Sequence, residues 1–218
     1  MKKTILLLAL ASLLSAPMLL AQEQANVYPP QKGDFRIGAG WGWALLLFQH
    51  EQEGNSTFYV NPGHTKPVTP ISVSADYTFM DFADGKGTLA AGALFEWTHY
   101  QTWSTSNSVA QLAGLSTFKT TITWDKAILA ATATARYCFW QDLYAYAQAH
   151  VGFDMNLGYK EEYSDESVNI PHTNGPGNSL SYGIAAGVGV PASEHLIMDI
   201  YAALGRYTTV GLTLNYKF

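Results

Sequence analysis

The sequence predicts an all-β chain, an eight-stranded antiparallel up-and-down transmembrane β-barrel. Three observations lead there: the closing stretch alternates strictly, seven earlier stretches repeat that alternation, and the connections are long and short by turns. In the closing stretch Val210, Leu212, Leu214, Tyr216 and Phe218 share one face, with Thr209, Gly211, Thr213, Asn215 and Lys217 on the other. A period of two makes a strand with two chemically different surfaces. An apolar face at an unpaired edge is an aggregation hazard. Closing the sheet on itself, with lipid outside, removes the edge and covers the face.

Before the barrel the sequence reads as a processing segment. Lys2 and Lys3 precede an apolar run, Thr4–Leu20, and cleavage is expected after Ala21, so residues 1–21 form a signal peptide. No cysteine stands at that point to take a lipid anchor. Residues 22–33 make a short periplasmic lead, and 34–218 the barrel.

The expected strands follow in order. Residues 34–48 set Phe35, Ile37, Trp41 and Trp43 against Arg36 and three glycines, and a polar loop, 49–68, follows. Residues 69–80 alternate Ile71, Val73, Tyr77 and Phe79 with Ser72, Ser74, Asp76 and Thr78, ending in a turn that carries Asp84-Gly85. Residues 88–100 put Phe95 and Trp97 opposite Glu96 and Thr98, before a Ser/Thr-rich loop, 101–120. Residues 121–139 are rich in alanine, which also suits a helix. The spacing of Thr132, Thr134 and Arg136 is two, which selects a strand.

Residues 143–158 alternate Ala147, Val151 and Phe153 with Tyr144, Tyr146, Gln148, His150 and Asp154. A loop, 159–179, is acidic first and turn-rich later. Residues 180–190 and 195–204 complete the set before the closing strand. Each strand is long enough for a tilted span. Long connections follow the first, third and fifth strands and short ones the second, fourth and sixth, as in outer-membrane barrels.

A lipocalin-type barrel would turn the apolar face inward, but so many bulky side chains would not fit inside eight strands. With lipid outside, aromatics should gather at the two interfaces. Phe35, Phe79, Tyr137, Tyr216 and Phe218 fall near one rim, and Trp43, Trp97, Phe153 and Tyr182 near the other. Charged residues are 13% of the chain, about half the usual share, which fits a lipid-facing surface. The formal net charge of -5 argues against nucleic acid. The single cysteine, Cys138, excludes an internal disulfide.

The inward charges nearly cancel. Arg36, Lys126, Arg136 and Lys217 stand against Asp76, Glu96, Asp154 and Asp199. Unpaired charges in so narrow a tube would each cost several kcal/mol, so a satisfied network is expected, and with it a closed lumen. A selectivity filter would show one sign of charge in a ring.

The opening Asp34-Phe-Arg-Ile-Gly-Ala-Gly-Trp-Gly-Trp43, the hairpin strands after it and the closing Val210–Phe218 resemble the small outer-membrane β-barrel domain family of porin-like proteins. The resemblance implies a Gram-negative outer membrane. It also implies recognition by the barrel-assembly machinery through the strand ending in Phe218. It assigns no activity.

Candidate chemistry is sparse. His99, near the outer end of its strand and close to Ser104, Ser106 and Ser108, is the best candidate for a lipid-modifying hydrolase or acyltransferase, which needs a nucleophile beside a base. An interfacial histidine without catalytic role explains it as well. His150 lies inward near Asp154. Glu161, Glu162, Asp165 and Glu166 could bind cations bridging lipopolysaccharide, or simply keep a loop solvated. No catalytic residue, metal or cofactor is therefore expected. The expected role is structural or interactive, for a monomer among outer-membrane lipid and lipopolysaccharide, reaching outside ligands through loops 49–68, 101–120 and 159–179. A narrow channel for ions or small solutes and a lipid A-modifying enzyme are the other readings.

Overall fold

The computed structural model describes residues 30–45, 50–53, 56–59, 69–105, 119–140, 142–163, 177–205 and 208–218. The expected signal peptide and most of the lead lie outside them. Among the described residues ten strands occur: β1 (Phe35–Leu45), β2 (His50–Glu53), β3 (Ser56–Tyr59), β4 (Ile71–Phe82), β5 (Gly87–Thr105), β6 (Lys119–Trp140), β7 (Leu143–Tyr163), β8 (Ser179–Pro191), β9 (Leu196–Leu204) and β10 (Thr208–Lys217). Eight of them close into a barrel in the order β1-β10-β9-β8-β7-β6-β5-β4, every neighbour antiparallel. The other two form a hairpin inside the stretch expected as a polar loop, closed by the pair Glu53↔Ser56. The Gly54-Asn55 between them is a hairpin signal.

Closure is made by β1 and β10, paired from Arg36↔Lys217 to Leu45↔Thr208. The last amide is tied too, Phe218 N–H donating to the Phe35 carbonyl at 2.9 Å. No edge is left along the seam, which is what hydrocarbon demands. The inside-out pattern is as expected. Ile37, Trp41, Val73, Phe95, Leu129, Phe153, Tyr182 and Leu214 are exposed on the wall, while Arg36, Asp76, Arg136, Asp199 and Asn215 are buried. Of the aromatics expected at the rims, Phe35, Phe79, Tyr137, Tyr216 and Phe218 at the short-turn end and Trp43, Phe153 and Tyr182 at the other are exposed on the outer wall, while Trp97 is half-buried.

Strand lengths depart from expectation on one side. β5, β6 and β7 have 19, 22 and 21 residues, against 9 to 13 in the other barrel strands. Pairing of β4 with β5 stops at Ile71↔Trp97, and of β7 with β8 at Asp154↔Ser179. β5–β6 continue to Thr105↔Lys119, and β6–β7 to Thr120↔Tyr163. Three strands therefore stand beyond the barrel as a sheet on the long-loop end. The segments expected as loops from 101 and from 159 begin as this sheet, and residues 106–118 and 164–176 lie outside the described ones.

Two irregularities matter. In β7 the register with β6 passes from Lys126↔Asn156 to Asp125↔Gly158, leaving Leu157 as an extra residue. A bulge of this kind exchanges the two faces of the strand beyond it. In the β4–β5 turn Ala83, Asp84 and Gly85 all have positive φ (51°, 55° and 81°), a cost that aspartate and glycine tolerate best.

Candidate functional site

The lumen is built on a simple rule: large inward side chains face glycines on the next strand. In register across β7, β8 and β9, Gly189 lies between Tyr144 and Asp199, and Gly187 between Tyr146 and Tyr201. Gly211 faces Tyr201 from β10. A Cβ on Gly189 would overlap the Tyr144 ring, and one on Gly187 would meet Tyr146. The missing side chains let each phenol lie flat across the bore.

Tyr144 crosses Gly189 completely, and its hydroxyl donates to Asp199 Oδ1 at 2.6 Å. Asn215 donates to the other oxygen of Asp199 at 3.0 Å. Arg36 donates through Nη1 to Tyr144 at 3.0 Å and through Nη2 to Asp76 at 2.8 Å. Arg136 Nη2 donates to the same Asp76 oxygen at 2.8 Å. The chain Arg136–Asp76–Arg36–Tyr144–Asp199–Asn215 thus runs through strands on all sides of the lumen. Two cations and two anions make it neutral, and each is at least nine-tenths buried. Paired charges in a tube this narrow escape the cost of an isolated buried ion.

The sequence reading expects the eight inward charges to form one satisfied network. Four of them form the chain just described. Lys217 sits at the rim, with Asp34 at 3.7 Å. Lys126 lies toward the long-loop end, its ammonium 4.3 Å from the centre of the Trp124 ring and 5.8 Å from that of Tyr100. Glu96 and His150 line a chamber above Arg36 and Asp76, with Ser72, Gln148 and Tyr201. Within this chain of bonds, Arg136 Nε and Nη1 have no hydrogen-bond partner among the described residues. One carboxylate, Asp76, is shared by two guanidinium groups and cannot satisfy both.

The chamber measures about 80 Å³. Toward the long-loop end Tyr100, Ile122 and Trp124 make a buried cluster, against which Ala44 and Tyr159 pack. Trp124 meets Tyr159 at 5.4 Å and the edge of Tyr100 at 6.5 Å. A larger hollow, about 750 Å³, lies on the outer wall instead, where Ala133, Ala147 and Ala186 leave a depression between Phe79, Leu89 and Leu204. Its lining is apolar, which suits hydrocarbon rather than chemistry.

Outside the lumen, the structure gives His99 a partner that the sequence reading missed. Asp125 stands directly opposite it on β6, and His99 Nδ1 lies 2.8 Å from Asp125 Oδ1. The ring also lies near Trp97, with centroids 6.2 Å apart. Ser104 pairs with Thr120, five positions along the strand, or roughly 17 Å away. Ser106 and Ser108 lie outside the described residues. The histidine therefore has an orienting carboxylate but no serine from its own strand beside it. Of the acidic run, Glu161 and Glu162 belong to β7, on opposite faces, and Glu162 is bonded to Lys160. Asp165 and Glu166 lie outside the described residues. Among the described residues no three His, Cys, Asp or Glu side chains could together hold a metal ion.

No protein-family model and no curated protein matches the chain. Solved structures do. The outer membrane protein OprG from Pseudomonas aeruginosa is similar, with 14% identity and a TM-score of 0.51 over 88% of this chain and 99% of that one. Neisserial surface protein A, NspA, has 12% identity and a TM-score of 0.46 over 85% and 98%. A designed transmembrane β-barrel has 13% identity and a TM-score of 0.44 over 87% and 99%. At such identities the likeness is one of fold, and the chain has the fold of the small eight-stranded transmembrane β-barrels.

Proposed function

We propose that this chain is an integral outer-membrane protein whose lumen is closed by its own side chains, and which acts through the surfaces at its long-loop end. The observation that carries this reading is the chain from Arg136 to Asn215, which occupies the bore with hydrogen-bonded groups whose charges cancel. Support for the membrane comes from the signal-peptide pattern of residues 1–21 and from the outer-membrane barrels of the same fold. The role is structural or interactive, in contact with lipid and lipopolysaccharide. Phe218, bonded to Phe35 at the seam, is the residue through which assembly machinery would read the closing strand.

Recording from refolded protein in planar bilayers tests the closed lumen. Flat current traces are the expected result. Discrete steps in the wild type would instead make the chain a narrow channel, with the chamber beside Glu96 and His150 as part of its path.

A lipid-modifying enzyme is a second reading, favoured by one observation. Asp125 holds His99 in the manner of a carboxylate that orients a general base. Its weakness is the distance to Ser104. Lipid A extracted from cells expressing the wild type or His99→Ala decides it, since this reading requires different acyl patterns.

A further inference from the structure

We propose that the outward face of the sheet formed by β5, β6 and β7 beyond the barrel binds the saccharide headgroups of glycolipids in the surrounding leaflet. The proposal rests on the reading that the barrel sits in an outer membrane.

Strand parity places this face. Phe95, Leu129 and Phe153 are exposed on the lipid-facing wall, and the same side of β5 continues upward through Trp97, His99, Gln101 and Trp103. The bulge at Leu157 keeps β7 in step, bringing Gly158, Lys160 and Glu162 to that side. Register then defines three rows: His99–Asp125–Gly158, Gln101–Thr123–Lys160 and Trp103–Thr121–Glu162. The surface is continuous with the wall that meets hydrocarbon. It extends about 26 Å along the strands, eight residues at ~3.3 Å each, into the layer where headgroups lie.

Its chemistry selects the partner. Two indoles, six residues apart on one strand, bracket an amide, hydroxyls and an imidazole on this face. Gly158 adds no side chain to the floor, and its Cβ position has no neighbour closer than 3.8 Å. The charged groups on the face already have partners: Asp125 has His99, Lys160 has Glu162, and Lys119 lies over the Trp103 ring at 5.5 Å. A polyanion would find few uncommitted cations, and an apolar partner would have to bury the polar rows without compensation. A neutral, hydroxyl-rich ligand with apolar ring faces satisfies both the rows and the indoles. Because the face begins directly above Trp97, the leaflet around the barrel delivers such ligands to it.

The test uses the full chain in phospholipid vesicles, with and without lipopolysaccharide bearing its core sugars, read by hydroxyl-radical footprinting. Oxidation of Trp103 should fall severalfold with lipopolysaccharide present, and stay high with the same lipid stripped of its core sugars. Lipopolysaccharide should also raise the temperature at which the folded gel band disappears. The variant Gln101→Ala/Thr123→Ala should lose most of that rise while matching wild type in phospholipid alone. Equal oxidation with and without the sugars overturns the proposal, whatever the variant does. Equal protection by soluble polysaccharide overturns it in favour of a free glycan. A chain that shows no folded band in phospholipid alone refutes the membrane-barrel reading itself, a result distinct from either.

Discussion

The ring of Tyr144 lies over Gly189 on the neighbouring strand, and Gly189 in turn separates Tyr144 from Asp199 in register. The glycine is therefore a passage rather than a flexible joint, since only a residue without a side chain lets the phenol reach the carboxylate. Gly189→Ala should cost about 1–3 kcal/mol through overpacking. Tyr144→Ala should be destabilising alone, by loss of the bonds to Asp199 and Arg36. Combined, the two should cost clearly less than their sum, because the clash and the bond belong to one contact. Urea unfolding in vesicles measures all three, and strict additivity would remove this account of the lumen.

Asp76 and Arg136 are bonded to each other but should not matter equally. Asp76→Ala leaves two buried guanidinium groups without their carboxylate and should cost about 3–5 kcal/mol. Arg136→Met leaves Asp76 still bonded to Arg36 and removes two buried donor nitrogens that have no partner among the described residues. Replacing such a group with an apolar one of similar volume is often close to neutral. The same unfolding series gives the ranking. A loss for Arg136→Met as large as for Asp76→Ala would mean that the guanidinium has partners this account lacks.

Strict alternation made the barrel legible, and its interruption hid what stands above it. From Val210 to Phe218 every second residue is apolar, so face and strand could be read together. In β7 the extra residue Leu157 shifts that period, and Tyr159 to Tyr163 no longer looks like a continuation of Val151 and Phe153. In β5 the apolar side gives way to His99 and then Gln101, so the chain from 101 onward reads as loop. The lumen charges were legible as inward residues, but their partners depend on register across strands far apart in sequence. Nothing near Tyr144 announces Arg36 or Asp199. Asp125 escaped notice for the same reason, being 26 residues from His99 and beside it only through the β5–β6 pairing.

The His99–Asp125 pair is a surface contact, with the side chains 47% and 39% exposed. Exposed pairs couple by about 0–1 kcal/mol, so a double-mutant cycle with His99→Ala and Asp125→Ala should return a value in that range. The lipid A acyl pattern of cells carrying either variant should equal that of wild type. A changed pattern would convert this pair from a rim contact into catalytic machinery.

Tyr163, at the end of β7 on the projecting sheet, gives a pH signature for that sheet. Burial, the charge of Glu161 and a hydrogen bond to it push the phenol up to about 12. An unfolded tyrosine titrates near ~10, so between these values the folded chain holds a proton that the unfolded chain has released. Stability then falls as pH rises through this window, and the contribution is complete below it. Tyr163→Phe cannot titrate and should show a shallower fall over the same range, with the two proteins converging toward parallel behaviour at lower pH. Difference absorbance at alkaline pH should locate one late-titrating phenol that the variant lacks. Should that phenol titrate with the exposed tyrosines, Tyr163 is not held against Glu161, and the upper end of β7 is not ordered as described.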